Sequence, residues 1–228
     1  MKKLTPILFC WALGATGTWA QTDITKFYLS NYGFDSSFDY PATSKATVEK
    51  EIKAIDGWTP DLSADYTITG IYEFGFGGTF NGGTVPQKGY DGETGGALAL
   101  SPGWEQTFCY YQTITLPAGT YTVKVPTYNA KTATAGSSKL AWIPSEGTTV
   151  SSTRSSYPGK QWTLDQITFT LKKQTTGKLQ IGYKAGPNGS ANSANLLIDY
   201  VQLSGQNMTV NKKELQAAIV EGTLCYAD

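Results

Sequence analysis

Between positions 107 and 116 the chain alternates with period two. Phe108, Tyr110, Gln112, Ile114 and Leu116 fall on one side, and Cys109, Tyr111, Thr113 and Thr115 on the other. Side chains of an extended strand point to opposite faces in turn, so this pattern spells a β-strand with one face to bury. Leu116-Pro117-Ala118-Gly119 then supplies turn chemistry, after which Tyr121, Val123 and Val125 resume the alternation among Thr and Lys. The two stretches are expected to form a β-hairpin. Shorter apolar runs predict further strands over 66–72, 97–100, 139–143, 167–171, 179–183 and 196–203. Trp162 and Leu164 fall on one parity and Ile167, Phe169 and Leu171 on the other, which predicts a bulge near Asp165. A helical turn or two is expected within 47–55.

Short strands at this spacing, in a chain rich in Gly, Thr, Ser and Tyr, predict an all-β domain over 21–208, a β-sandwich or jelly roll. After Gly205 the character changes. Asn211 followed by Glu214 matches a capping box, and Leu215, Ala218 and Ile219 form a narrow apolar stripe at helical spacing, so 209–228 is expected to be a short C-terminal helical segment. A lone amphipathic helix is marginal in water. The segment therefore packs back on the sandwich or opens a helical region that continues beyond it.

Residues 1–20 place Lys2 and Lys3 before an apolar run and end in Thr-x-Ala at Ala20, the signature of a cleavable signal peptide. The run is shorter than the roughly 20 residues that cross a bilayer, and no second apolar span follows, so a secreted, periplasmic or cell-surface protein without a transmembrane span is expected. Removing the leader leaves 16 basic residues against 18 acidic, a formal charge of −2. With its lysines scattered, the chain lacks the basic patch that nucleic acid requires. It has no histidine, which excludes Ser-His-Asp, Cys-His and His-based metal chemistry. Cys109 and Cys225 permit one disulfide or two unpaired thiols, and their dissimilar surroundings favour the latter.

Several strand motifs together resemble a known family. NYGFDSSFDY, then DGWT, GGALALSPGWEQTFCYYQTITLPAGTYTVKVPTYN, ITFTL, GKLQIGY and LLIDYVQL follow the order found in secreted bacterial carbohydrate-binding jelly rolls with a galactose-binding-domain-like fold. The resemblance covers about 23–203. It implies a non-catalytic glycan-binding module, and the segment after it resembles helical repeats appended to such modules in large surface proteins. Asp35 stands where many relatives carry Glu, and Tyr200 where many carry Asn. The resemblance also places Asp35 and Asp199 on neighbouring first and last strands, where a structural calcium would tie the chain ends together.

Only carboxylates remain as acid–base candidates. Asp91 and Glu93 in GYDGETGG, and Asp61 with Asp65, read more simply as solvated turns than as a glycosidase pair. FGFGGTFNGG lacks the Gly-Lys-Ser/Thr ending of a phosphate loop and is expected to be a surface loop. Sugar C–H faces stack on aromatic rings while hydroxyls pair with polar side chains. Trp58 is expected in the core, and Trp104, Trp142, Arg154, Tyr157 and Trp162 are the candidate ligand-binding residues, with no catalytic residue expected. A structural or adhesive module without sugar binding is the competing reading, and a glycan-cleaving enzyme the weakest.

Overall fold

The computed structural model describes residues 21–34, 55–62, 67–73, 79–80, 82–93, 95–132, 135–187 and 194–209. The expected signal peptide and C-terminal helix, Asp35, Cys225, residues 74–78 of the glycine-rich loop and nearly all of 47–55 lie outside them. In chain order the elements are β1 (Thr22–Asp23), α1 (Thr25–Tyr28), β2 (Thr59–Leu62), β3 (Thr67–Glu73), β4 (Thr79–Phe80) and β5 (Gly83–Thr84). They continue with β6 (Gly96–Pro102), β7 (Thr107–Leu116), β8 (Gly119–Asn129), β9 (Gly136–Ser138) and β10 (Ala141–Pro144). The last are β11 (Val150–Ser151), β12 (Trp162–Leu171), β13 (Thr175–Ala185), β14 (Leu196–Ile198) and β15 (Gln202–Gln206). No helix among the described residues is long and apolar enough to cross a membrane.

Among the described residues thirteen of the fifteen strands form an all-β sandwich of two antiparallel sheets, and β4 and β5 pair separately with each other. In the first, β8 is central, flanked by β12 on one edge and by β14 and β15 in succession on the other, with β6, β3 and β1 beyond. In the second, β13 is central, paired with β7 on one edge and with β9 and β10 on the other, while β2 and β11 lie outermost. Tyr121, Val123, Val125, Ile167 and Phe169 from the first sheet meet Phe108, Tyr110, Ile114, Leu179 and Ile181 from the second in one buried core.

The expected hairpin is corrected. β7 pairs with β13 over ten residues, Thr107 opposite Lys184 to Leu116 opposite Thr175, and β8 pairs with β12 over another ten. The 116–119 turn therefore carries the chain from one sheet to the other, and the Tyr121 hydroxyl fastens this corner by donating to the Pro117 carbonyl at 2.7 Å. Period-two alternation fixes which face of each strand is buried. Both strands bury a face in the same core, which is as compatible with facing sheets as with one sheet.

The bulge expected near Asp165 is absent. β12 runs in one-for-one register with β8 from Trp162 opposite Tyr128 to Leu171 opposite Gly119. The two parities arise because both faces of this sheet are covered. Ile167 and Phe169 enter the main core, whereas Trp162 packs on the outer face with Tyr128, Ala97, Ala99 and Leu197, beneath Phe80 and Val85. Residues 79–80 and 82–93 thus form a strap across the outer face of the first sheet. It is held there by Asn195 Nδ2 donating to the Phe80 carbonyl at 3.0 Å and by Thr84 N–H donating to the Ala130 carbonyl at 2.7 Å. Gly83 lies so close to Ala130 that a Cβ would sit 2.6 Å from its carbonyl oxygen.

A bulge does occur, between β14 and β15. Ile198 faces Thr127 and Gln202 faces Lys124, so three residues, Asp199 to Val201, oppose two, Val125 and Pro126. Pro126 accepts from the Asp199 N–H at 3.1 Å but has no N–H to return, and the ladder breaks at that point. The expected single strand over 196–203 is therefore two strands, and Asp199 and Tyr200 are turned toward the strap while Val201 drops into the core.

Candidate functional site

The five residues expected to bind ligand do not converge. Trp142 is 1 % exposed and lies in the core, its ring stacked parallel on Phe169 with centroids 5.0 Å apart. Tyr157 is likewise 1 % exposed, edge-on to Tyr183, and its hydroxyl donates to Asp165 at 2.9 Å. Burial first, and the neighbouring Asp165 second, push its phenol far above the ordinary tyrosine range. Arg154 forms an ion pair with the buried Asp165, donates from Nη2 to the Leu164 carbonyl at 3.0 Å and lies over the Tyr157 ring. These contacts clamp the 152–157 loop onto β12. Trp142 and Tyr157 are thus core residues and Arg154 is held by the fold, because a Trp or Tyr beside a polar loop reads the same in sequence whether its ring turns in or out.

Trp104 and Trp162 stand apart from that loop and from each other. Trp104 is half-exposed on the turn from β6 to β7, where Glu105 takes φ +62 and donates its N–H to the Gly186 carbonyl at 3.0 Å. Trp162 is partly buried on the outer face of the first sheet, with Tyr128 and Tyr90 meeting its ring edge at 5.4 and 6.0 Å. Trp58 is buried as expected, its Nε1 donating to the Asn31 carbonyl at 3.1 Å. Cys109 is a free, buried thiol pushed up to about 12, first by burial and then by Asp61.

A recess of about 420 Å³ opens where the bulge meets the end of the strap and the N-terminal segment. The bulge contributes Asp199, Tyr200 and, just beyond it, Gln202; the strap contributes Asp91 and Glu93; the N-terminal segment contributes Asp23, Lys26 and Tyr32. Asp199 Oδ2 accepts the Tyr90 N–H at 2.6 Å, and the Tyr200 hydroxyl donates to Asp91 Oδ2 at 2.8 Å. Burial and Asp91 raise the Tyr200 phenol well above its ordinary value. Asp23 accepts from Thr25 through Oδ1 and from Gln202 through Oδ2, which fixes the N-terminal strand against β15. Tyr32, 38 % exposed, is placed by its carbonyl accepting the Val201 N–H at 2.8 Å, and Tyr90, 39 % exposed, stands beside the recess against Trp162.

Sequence reading missed this recess. Its signals, Tyr90-Asp91 and Asp199-Tyr200, lie 109 residues apart and interlock crosswise, which no local pattern reveals. Asp199, expected as a calcium ligand, anchors the strap, and its expected partner Asp35 is outside the described residues. Among the described residues no three His, Cys, Asp or Glu side chains converge as a metal-binding group.

A second polar surface covers the outer face of β13, β7 and β2. There the Lys178 ammonium sits 4.0 Å from the Tyr111 ring centroid, and Gln180 Nε2 donates to Asp61 Oδ2 at 3.3 Å.

No family model matches this chain, and no curated protein does. Among solved structures it is similar to TmCBM61 in complex with β-1,4-galactotriose, at 17 % identity and TM-score 0.42, over 77 % of this chain and 96 % of that one. It is similar to a structure described as "CBM4 structure and function" at 16 % identity and TM-score 0.42, over 78 % and 99 %. A third is the enzymatically active domain of tailspike protein 4 of bacteriophage CBA120, at 14 % identity and TM-score 0.41, where this chain covers 78 % of itself and only 21 % of the tailspike chain. These likenesses are distant, and what the recess can hold follows from its own residues.

Proposed function

We propose that this protein is a non-catalytic glycan-binding module of an exported protein, and that its sugar site is the recess between the strap and the β14–β15 bulge. The observation that carries this reading is the union, in one cavity of about 420 Å³, of tyrosine surface from Tyr32 and Tyr200 with acceptors and donors from Asp91, Glu93, Gln202 and Lys26. That volume falls within the roughly 300–1,000 Å³ of small-ligand sites. A sugar offers apolar C–H faces for the rings and hydroxyls for the polar groups, and both needs are met here. The competing reading, a structural module, is favoured by the carboxylates of Asp23, Asp91 and Asp199, each already bonded to its own chain.

The test is a broad glycan array probed with the purified 21–208 domain, followed by titration of any hit. Tyr32→Ala removes a stacking ring and is expected to weaken binding about tenfold to a hundredfold, the equivalent of roughly 1–3 kcal/mol of buried apolar side chain. Tyr111→Ala, on the far sheet, is expected to leave affinity unchanged. With no histidine in the chain, affinity should be flat from about pH 5.5 to 8. Equal binding by Tyr32→Ala and parent would exclude the recess, and the absence of any hit would leave the structural reading.

A further inference from the structure

The groups lining the recess are unbalanced in charge. Asp23, Asp91, Glu93 and Asp199 face it, and Lys26 is the one cation lining it among the described residues. Two more lysines are near without lining it: Lys88, next to Gly89, is exposed, and Lys124 lies opposite Gln202 in the β15–β8 register. The hydrogen bonds that Asp23 and Asp91 accept come from neutral hydroxyl, amide and backbone donors, and Asp199 accepts one from a backbone N–H; such donors satisfy lone pairs without cancelling charge. Asp23 shows the consequence most directly. Burial acts to raise its carboxyl, but the Thr25 and Gln202 hydrogen bonds and nearby Lys26 outweigh burial and hold it below the ordinary aspartate value, so it stays ionised.

Resting on the glycan reading, we infer that the recess selects neutral or amine-bearing sugars and rejects glycans that carry carboxylate or sulfate. A carboxylate accepts hydroxyl hydrogen bonds from a neutral sugar and a charge-assisted one from an amine, but offers an anionic sugar no donor. An anionic substituent placed in the recess meets like charge on several sides, and such juxtaposition separates ligands by rejection as much as by attraction. The tyrosine surfaces supply affinity that does not depend on ligand charge, so the carboxylates decide which class is admitted.

The experiment is a glycan array and titration in which each backbone is present in three forms: neutral, amine-bearing (deacetylated amino sugar) and acidic (uronate or sulfate ester). Expected is retention of neutral and amine-bearing forms, with the acidic form of the same backbone weaker by about tenfold at low salt and the gap narrowing toward about twofold at about 0.5 M salt, as screening of partly exposed charges requires. Asp91→Asn, which keeps an oxygen for the Tyr200 hydroxyl, combined with Glu93→Gln, should reduce that discrimination between acidic and neutral forms severalfold, whatever its effect on neutral-sugar affinity itself, at a melting temperature near that of the parent. Acidic and neutral forms bound equally, or discrimination unchanged in the double variant, would overturn the charge selection while leaving glycan binding intact. No binding of any form would overturn the glycan reading and the selection with it.

Discussion

The carboxylate of Asp199 and the backbone of Gly89 are packed so closely that a Cβ added to Gly89 would sit 2.7 Å from Asp199 Oδ2, the same oxygen that accepts the Tyr90 N–H at 2.6 Å. The bulge and the strap are thus joined at one point, and Gly89 is required there by close approach. Gly89→Ala is expected to destabilise the protein by about 1–3 kcal/mol through overpacking, and Asp199→Ala by about 1–2 kcal/mol through the lost charge-assisted hydrogen bond. The two should be less than additive, because truncating Asp199 removes the atom with which the added methyl group would collide. Urea unfolding of the four proteins in the cycle measures the coupling; strict additivity would mean the two residues do not act on each other.

The structural calcium that the sequence resemblance implies for Asp35 and Asp199 is a separate proposal, and if present it would add to this anchor. A metal that binds only the folded state stabilises it by mass action. Chelator is then expected to lower the melting temperature of the parent and to have no effect on Asp199→Ala. A parent unmoved by chelator would leave Asp199 as a strap anchor alone.

Trp142 and Trp104 should part company. Trp142→Ala empties a buried site against Phe169 and is expected to cost about 3–5 kcal/mol, whereas Trp104→Ala, half-exposed on its turn, should fall within about 0.5 kcal/mol of the parent. Denaturant midpoints of the two variants provide the comparison.

Arg154→Ala strands the Asp165 carboxylate, which is 3 % exposed, with Tyr157 as its remaining side-chain donor among the described residues. Removing one partner of a fully buried pair costs about 3–5 kcal/mol. Arg154 itself is 29 % exposed, so solvent reaches the gap and a smaller loss of about 2 kcal/mol is expected. Asp165→Asn in the Arg154→Ala background should recover much of it, as read by thermal melting.

Cys109 should be inert in the native state. Its thiol is pushed up to about 12 by burial, against an unfolded value near 9, so the folded state favours the protonated form. The resulting stability is complete below pH 9 and is lost as pH rises from 9 toward 12. In the 21–228 chain, which lacks Cys10, carrying Cys225→Ser, a thiol reagent at about pH 8 should find no reactive group until denaturant is added. Rapid native labelling would place the thiol at the surface.

The alternation from Phe108 to Leu116 and from Tyr121 to Val125 determined the strands and their buried faces, since side-chain period and apolarity are local properties of the chain. The same local properties placed Trp58 in the core and predicted strands over 66–72, 97–100 and 179–183, which the fold forms at Thr67–Glu73, Gly96–Pro102 and Thr175–Ala185. Partner choice was a different matter. β7 and β8 follow each other across a four-residue corner yet belong to opposite sheets, because hydrogen bonding to β13 and β12 is settled by contacts many residues away. Trp162 and Leu164 looked out of phase only because the strap that covers the outer face is not adjacent in sequence. The recess depended most on tertiary structure. Pro126 breaks a ladder, the bulge that results turns Asp199 and Tyr200 outward, and Tyr90 and Asp91 arrive from 109 residues away to meet them. Each residue's chemistry was written in the chain. Which of them share a cavity was decided by sheet pairing and packing, for which a single sequence carries no period.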